Sequence, residues 1–231
     1  MRILRNVLAG ASMSLIAAGV QAADVDVAIT NLTHGSYFTP LLAVSHANDI
    51  HLYTLGTKAS SALKSMAECG MLGGLVSDLD GNAMVTLNDH PLEPGATAMK
   101  PLNVMPTANY ISVVGMVLPT NDGFVGVDGI AVPSKPGTYT YFLNAYDAGT
   151  EANSETLDTE MGCVDMPGIP VAPGMDGGKL GTGVTETEKN ETVHVHRGVL
   201  GDTNPDGGAS DLDSTIHRWQ NPVAKLTLTV K

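Results

Sequence analysis

Apolar and polar residues alternate along many short segments of this sequence, and that pattern constrains the fold more than any other feature. Side chains along a β-strand point alternately to its two faces. The alternation over residues 25–31 therefore predicts a strand with Val25, Val27 and Ile29 on one face. Three further segments alternate in the same way: residues 137–146, 191–199 and 222–230. Short strands of this kind indicate an all-β sandwich or barrel.

Two segments, residues 40–46 and 109–119, are almost continuously apolar, which is typical of strands buried on both faces. Turn-forming residues lie between the predicted strands, at 80–82, 93–95, 121–123 and 135–137. One helix is predicted over residues 57–70, where helix formers are followed by Gly70 as a stop. The Gly- and Pro-rich stretch 166–189 is predicted to be a long surface loop.

The first 22 residues have the three parts of a secretory signal peptide. Arg2 and Arg5 form the charged start, an apolar stretch follows, and a small-residue cleavage pattern ends at Ala22. The apolar stretch is too short for a good membrane span. We therefore expect an exported protein, periplasmic or secreted to the extracellular space, with no transmembrane segment after cleavage. Residues 23–231 suit one domain.

The chain is acidic, with 24 Asp and Glu against 12 Lys and Arg and a formal net charge of −12. The predicted signal contains two Arg and no acid, so the mature chain has a charge of −12 − 2 = −14. Such a charge disfavours nucleic acid and anionic lipid as partners. It favours calcium, whose preferred ligands are carboxylate and other oxygens.

Two cysteines, Cys69 and Cys163, predict one disulfide, because the thiols of an exported protein meet an oxidising environment. The bond would close a loop of 163 − 69 − 1 = 93 intervening residues. Closing a long loop stabilises a fold by about 2–4 kcal/mol. Neither cysteine lies in a Cys-x-x-Cys pair, which disfavours a metal pair or a catalytic thiol.

Single carboxylates stand in two stretches rich in Gly and Asn, and they allow two interpretations. Asp122 belongs to the first stretch, and Asp147 and Glu151 belong to the second. They are either turn residues that accept backbone hydrogen bonds or ligands that converge on a hard cation. Gly149 would let the loop bend tightly enough to bring two acids to one point. Three neighbouring residues are possible further oxygen ligands: Asn121, Asp128 and Asn153.

A second acidic stretch, residues 201–213, follows the ligand order of an EF-hand loop. Its candidate ligands are Asp202, Asn204, Asp206 and Asp213, with Gly207 at the position of the sharp turn. Pro205 interrupts the loop, an Asp replaces the usual bidentate Glu, and no predicted helix flanks it. The stretch is therefore either a second calcium site or an ordinary acidic loop.

His194 and His196 lie two residues apart, so they share one face of the predicted strand over residues 191–199. Two such imidazoles could bind zinc or copper if a third ligand approached, and His34 and His217 are candidates for it. The other interpretation is a strand face whose histidines only make hydrogen bonds.

Five segments run in order along nearly the whole predicted mature chain: NLTHGSYFTPLLAVSH, VLPTNDGFVGVDG, YFLNAYDAGTEANSE, HVHRG and WQNPVAKLTLTV. Together they resemble the spondin domain family. The most specific part is DAGTE following NDGFVGVDG. The resemblance implies a C2-like antiparallel β-sandwich, here with one short helix and long surface loops. That fold agrees with the alternating strands.

In the animal members of that family the matching motifs bind one calcium ion. The resemblance therefore implies Asp122, Asp147 and Glu151 as Ca²⁺ ligands here. Two positions depart from the animal pattern, with Glu151 in place of an Asp and Gly123 in place of an aromatic residue. Glu keeps the carboxylate, so calcium stays the implied cofactor. The connection between the motifs is also shorter, which affects the geometry of the site and not the fold.

The resemblance and the charge together predict a calcium-binding module that mediates adhesion by binding a protein or a surface glycan. The sequence has no HExxH, GxSxG or P-loop motif, so an enzyme is not expected. Two alternatives stay open. One is a periplasmic copper- or zinc-binding protein that uses His194 and His196. The other is an exported hydrolase whose Ser, His and Asp residues meet only in space.

Overall fold

The structure is a computed structural model that describes residues 23–157, 168–175, 181–185, 190–204 and 206–231. The predicted signal peptide, residues 1–22, lies outside the described residues, as do Cys163 and much of the predicted 166–189 loop. The division into a signal and one domain over residues 23–231 therefore stays a prediction, and so does the Cys69–Cys163 disulfide.

The described chain consists mainly of antiparallel β-strands with two short helices, so the all-β prediction is confirmed. The strands are β1 (Ala23–Asn31), β2 (Tyr37–Phe38), β3 (Leu42–His46), β4 (Ala83–Thr86), β5 (Thr97–Val104), β6 (Tyr110–Leu118), β7 (Gly123–Ala131), β8 (Gly137–Asp147), β9 (His194–Val195) and β10 (Ala224–Val230). The helices are α1 (Ser61–Cys69) and α2 (Gly73–Asp78).

The strands form one sheet in the order β4-β3-β6-β7-β8-β10-β1-β5, and each neighbouring pair is antiparallel. Off this path, β2 pairs with β6 and β9 pairs with β8. The two end strands, β4 and β5, contact each other, so the sheet is nearly closed. The C2-like sandwich arrangement implied by the resemblance stays a prediction.

Two apolar clusters explain the two strand patterns. Inward side chains of β1 and β10, such as Val27 and Leu228, are fully buried in one cluster, as their alternation predicts. The second cluster lies between the sheet and α1, where Leu63 and Met66 pack. Strands β3 and β6 have apolar side chains in both clusters, for example Val113 in the first. This is why both strands are buried on two faces, as predicted.

The helix predicted over residues 57–70 begins later, at Ser61. The Ser60 hydroxyl accepts a hydrogen bond from the Leu63 amide at 3.1 Å, so Ser60 is the N-cap. The end is as predicted, because Gly70 adopts a left-handed conformation with φ 66°. Helix α2 was not predicted. Among the described residues, neither helix has the length and apolar character that crossing a membrane requires.

The strand predicted over residues 191–199 is much shorter and comprises only β9. The His196 amide still donates to the Ala145 carbonyl at 3.1 Å, but pairing stops there. Gly198 then turns the chain with φ 86°, and a Cβ at that position would lie 2.8 Å from the Trp219 carbonyl oxygen. The alternating pattern therefore continues past the point where the backbone leaves the sheet.

Candidate functional site

Antiparallel pairing of β7 with β8 brings the two predicted acidic motifs together. Asp122 lies in the turn before β7, and Asp147 is the last residue of β8, paired with Gly123. The Ala148 amide donates to the Asp122 carbonyl at 3.2 Å. Both carboxylate side chains are fully buried. Two acids far apart in sequence therefore lie at the same end of the sheet.

Asp122 also holds the loop that carries Glu151. Its Oδ2 accepts hydrogen bonds from the Thr150 amide at 2.7 Å, the Thr150 hydroxyl at 3.1 Å and the Glu151 amide at 3.1 Å. Asp147 Oδ1 accepts from the Gly149 amide at 2.8 Å. Gly149 has φ 69°, as a tight bend requires.

Two carboxylate oxygens of this cluster lack a hydrogen-bond partner although they are buried, namely Asp122 Oδ1 and Glu151 Oε1. The other oxygen of Glu151 accepts from Asn121 Nδ2 at 3.3 Å and from the Gly168 amide at 3.2 Å. A buried carboxylate oxygen without a donor or a cation is costly. These two oxygens without hydrogen-bond partners therefore indicate a site that a positively charged group would complete.

The environment favours the protonated form of two acids. Burial, with the neighbouring Asp147 adding to it, raises the pKa of Asp122 to about 7. Burial also raises the pKa of Glu151 to about 8, and negative charge at Glu68 and Asp122 contributes. Closely spaced buried carboxylates cannot all ionise without a compensating cation.

Glu68 is a nearby acid that sequence reasoning missed. It lies in the last turn of α1 with its side chain 1% exposed, and Lys64 Nζ is 3.6 Å from its Oε1. The signal was present in the sequence, because the dipole of a helix disfavours negative charge in its last turn. An acid at that position therefore indicates a role in tertiary contacts.

The donor atoms of these residues are carboxylate oxygens, which a hard cation prefers. In the described ranges, no group of three or more His, Cys, Asp or Glu side chains stands close enough together to hold a metal ion by itself. Calcium, however, draws several of its six to eight oxygens from backbone carbonyls and water. Asp122, Asp147 and Glu151 would supply the charged oxygens. Bound calcium would neutralise their repulsion.

The three possible further ligands have different positions. Asn121 contacts Glu151 through Nδ2, and its Oδ1 accepts from the Glu155 amide at 3.2 Å. Asn153 Nδ2 donates to Asp147 Oδ2 at 2.6 Å. Asp128 lies far along β7 from the cluster, where its Oδ2 is 2.6 Å from His51 Nδ1.

The EF-like stretch uses its oxygens to hold its own backbone. Asp202 Oδ1 accepts from the Asn204 amide at 2.9 Å, and Asn204 Oδ1 accepts from the Asp206 amide at 3.1 Å. Asp213 Oδ1 accepts from the amide and hydroxyl of Thr215, both at 2.7 Å. These are the contacts of an ordinary turn-rich loop. The second calcium site stays a prediction.

His194 and His196 have different surroundings. His194 Nε2 is 3.7 Å from Asp147 Oδ2. His196 is buried against Trp219, with ring centroids 5.1 Å apart, and its Nδ1 accepts from the Gly198 amide at 2.9 Å. Burial lowers the pKa of His196 to about 3, so this ring is neutral and carries its proton on Nε2. A protonated nitrogen cannot bind a metal, so joint ligation by the two rings is not favoured.

The other two candidate histidines line a separate pocket. His34 and His217 are among the residues around a surface pocket of about 480 Å³, together with Tyr37, Asp211 and Asp213. His217 Nδ1 accepts from the Asp213 amide at 3.1 Å. His34 and His217 therefore line the same pocket.

One serine contacts both a histidine and an aspartate. Ser112 Oγ is 2.6 Å from His46 Nε2 and 3.3 Å from Asp128 Oδ1. His46 Nδ1, however, bonds the Ala47 carbonyl at 2.8 Å and not an acid. Ser112 and His46 are both fully buried, so neither reaches a substrate in this conformation. The contacts join β3, β6 and β7 inside the fold.

One comparison with known families finds a match. The family model described as Spondin_N matches residues 30–161. That match covers 161 − 30 + 1 = 132 of the 231 residues and includes both acidic motifs. No curated protein matches the chain. The match covers more than half of the sequence, and on that basis the chain belongs to the Spondin_N family.

Proposed function

We propose that this protein is an exported calcium-binding module that mediates adhesion by binding a protein or a surface glycan. The observation that carries the calcium proposal is the pair of buried, unpaired oxygens, Asp122 Oδ1 and Glu151 Oε1. They lie in the motifs that the Spondin_N match covers. A divalent cation provides the positive charge that this cluster lacks.

The ion would act on structure. Asp122 directly precedes β7, Asp147 ends the neighbouring strand β8, and Glu151 lies in the loop held by Asp122. An ion that binds all three would tie this loop to the sheet. Binding to the folded state alone stabilises it by about 2.7 kcal/mol when the free ion is at 100 times its Kd. The partner would then meet a loop surface that calcium orders.

Export and the adhesive role follow from the predicted signal, the acidic charge and the family. Among the described residues, Phe142 and Met99 are the most exposed large apolar side chains, at 65% and 63%. Exposed apolar side chains are common on soluble proteins when they occur singly. These two side chains therefore do not define a binding surface. The proposed partner is a protein or a glycan, in the periplasm or outside the cell.

The experiment is thermal unfolding of residues 23–231 in EDTA and in millimolar calcium, with Asp147→Asn beside the wild type. We expect calcium to raise the midpoint of the wild type by several degrees and to leave the variant unmoved. Asp89→Asn is the matched control, because Asp89 is an exposed acid that contacts Lys100 at 3.4 Å. Equal calcium responses in all three proteins would refute a site at Asp147.

A further inference from the structure

A β-bulge in β7 directs two consecutive residues at the side chain of Ser112. The register of the β6–β7 ladder shifts at this point, so Asp128 and Gly129 of β7 together stand opposite Ser112 of β6. Gly129 adopts the left-handed conformation, with φ 71°. Its amide donates to Ser112 Oγ at 2.8 Å, and Asp128 Oδ1 lies 3.3 Å from the same oxygen. Bulges commonly re-aim side chains in this way.

His46, the last residue of β3, is the third neighbour of the Ser112 hydroxyl. Its Nε2 is 2.6 Å from Ser112 Oγ. Its Nδ1 is 2.8 Å from the Ala47 carbonyl oxygen, which can only accept a hydrogen bond, so Nδ1 carries a proton. The ring is fully buried. The charge of His46 is therefore decided at Nε2, which faces the serine hydroxyl.

The Ser112 hydroxyl has one hydrogen and faces two groups that could receive it. When His46 is neutral, its Nε2 has a lone pair, so the hydroxyl donates to Nε2 and turns an oxygen lone pair toward the Asp128 carboxylate. When His46 is protonated, Nε2 donates to Oγ, and the hydroxyl hydrogen turns to Asp128 Oδ1. Only the second state satisfies all three neighbours of the hydroxyl.

Asp128 ties the segment that follows β3 to β7. Its Oδ1 accepts from the Leu52 amide at 2.8 Å, and its Oδ2 is 2.6 Å from His51 Nδ1. The next residue, Tyr53, is buried, and its ring centroid is 5.1 Å from that of Phe124. A hydroxyl that donates to the carboxylate of Asp128 stabilises this attachment, whereas an oxygen lone pair that faces the carboxylate repels it.

We propose that Ser112 relays the protonation of His46 to Asp128, and that this relay is a pH-sensitive latch for residues 47–52. Acidification turns the hydroxyl to Asp128 and tightens the latch, whereas a rise in pH turns it to His46 and loosens the latch. Histidine suits this task because its charge changes between about pH 5 and 8. The latch lies apart from the acidic cluster and needs no cation.

Other titratable groups lie around the relay, namely Asp49, His51, Tyr53 and Tyr110. Tyrosine is ordinarily neutral where histidine titrates, and Asp49 is exposed to solvent. His51 is different, because it contacts Asp128 directly and its side chain is 54% exposed. Protonation of His51 would also strengthen the attachment to Asp128, so the two histidines must be separated by experiment.

The test is hydrogen exchange of the Leu52 amide in residues 23–231 at pH 5.5 and at pH 8. Protection factors are compared, because they remove the pH dependence of exchange in an unstructured chain. The Leu32 amide, which donates to the Val223 carbonyl at 2.9 Å, controls for a change in the stability of the whole fold. We expect the protection of Leu52 relative to Leu32 to fall about fivefold at the higher pH, the effect of about one hydrogen bond.

Two variants separate the relay from His51. Ser112→Ala removes the hydroxyl and should abolish the pH dependence of the Leu52 to Leu32 ratio. His51→Gln is the matched control, which keeps the relay and should keep the pH dependence. Retention of the pH dependence in Ser112→Ala, or its loss in His51→Gln, would overturn the proposal. A ratio in the wild type that does not change with pH would overturn it as well.

Nitrogen NMR of the wild-type histidine rings gives a readout that does not depend on any variant folding. His46 should have both ring nitrogens protonated at pH 5.5 and an unprotonated Nε2 at pH 8. A His46 ring that stays in one protonation state over this range would overturn the proposal.

Discussion

The Asp122 carboxylate accepts a hydrogen bond from the Glu151 backbone amide at 3.1 Å, so one acid of the cluster positions another. The same oxygen, Oδ2, also accepts from Thr150, while Oδ1 has no hydrogen-bond partner. Oδ2 holds the loop, and in the proposed function Oδ1 would bind the cation, so the two oxygens of one side chain would have separable tasks.

Substitutions at Asp122 should separate these tasks. Asp122→Asn keeps an oxygen that accepts from the loop and removes the charge, so the variant should fold in EDTA and lose the calcium response. Asp122→Ala removes the acceptor and leaves the Thr150 and Glu151 amides without it. Each lost partner costs about 1–3 kcal/mol. Urea unfolding in EDTA measures both variants, and equal destabilisation by Asn and Ala would contradict the separation.

Stability in EDTA should fall as the pH rises. In the folded state the pKa of Asp122 is about 7 and that of Glu151 is about 8, both above the ordinary values near 4. The folded state therefore binds more protons than the unfolded state between these limits. The stabilisation of the folded state by these two groups is fully present below about pH 4, where both states are protonated. It is lost as the pH rises through the folded pKa values of about 7 and 8. Thermal midpoints measured from pH 5 to pH 8 test this.

Calcium and a single substitution provide the controls for the pH experiment. Saturating calcium should flatten the fall, because the ion offsets the charge of the ionised acids. Glu151→Gln in EDTA should flatten it in part, because one titrating group is gone. A wild-type midpoint in EDTA that is constant or rises from pH 5 to pH 8 would be inconsistent with the raised pKa values.

Gly149→Ala should disrupt the cluster. Gly149 has φ 69°, and a Cβ there would lie 2.6 Å from the Thr192 backbone nitrogen. Strain of this kind costs on the order of 1–3 kcal/mol. Gly56→Ala is the matched control, because Gly56 has φ 78° but open space around it. Denaturation and calcium titration should show a larger loss for Gly149→Ala, and equal effects in both variants would mean that the contact with Thr192 is unimportant.

A fluorophosphonate probe tests the hydrolase alternative. Such probes label a serine that a histidine activates and that solvent can reach. Ser112 has the histidine contact but is fully buried. We expect no labelling of native wild-type protein. Labelling that Ser112→Ala abolishes would instead support an exported hydrolase that opens to expose this serine.

The strands were predictable where one physical rule decides the structure. The alternation in β1 and β10 follows directly from having one buried face, so both strands lie where the sequence places them. The rule fails in the strand predicted over residues 191–199, because the turn at Gly198 depends on Trp219, which is distant in sequence. Local pattern cannot show such a contact.

Sequence reasoning singled out the residues of the candidate site but could not show their electrostatics. The motifs singled out Asp122 and Asp147, and strand pairing explains why they lie at the same end of the sheet. Burial raises the pKa of Glu151 and negative charge at Glu68 adds to that rise, and the position of Glu68 depends on where α1 packs. The same holds for His194, whose position opposite Asp147 depends on the register of β9 with β8.

The most direct measurement is a crystal structure of residues 23–231 grown with calcium. We expect one ion within roughly 2.3–2.6 Å of carboxylate oxygens from Asp122, Asp147 and Glu151, with carbonyls and water completing the shell. A calcium-loaded crystal in which these oxygens touch only protein and water would contradict the account. An ion found instead in the loop of residues 201–213 would contradict it as well.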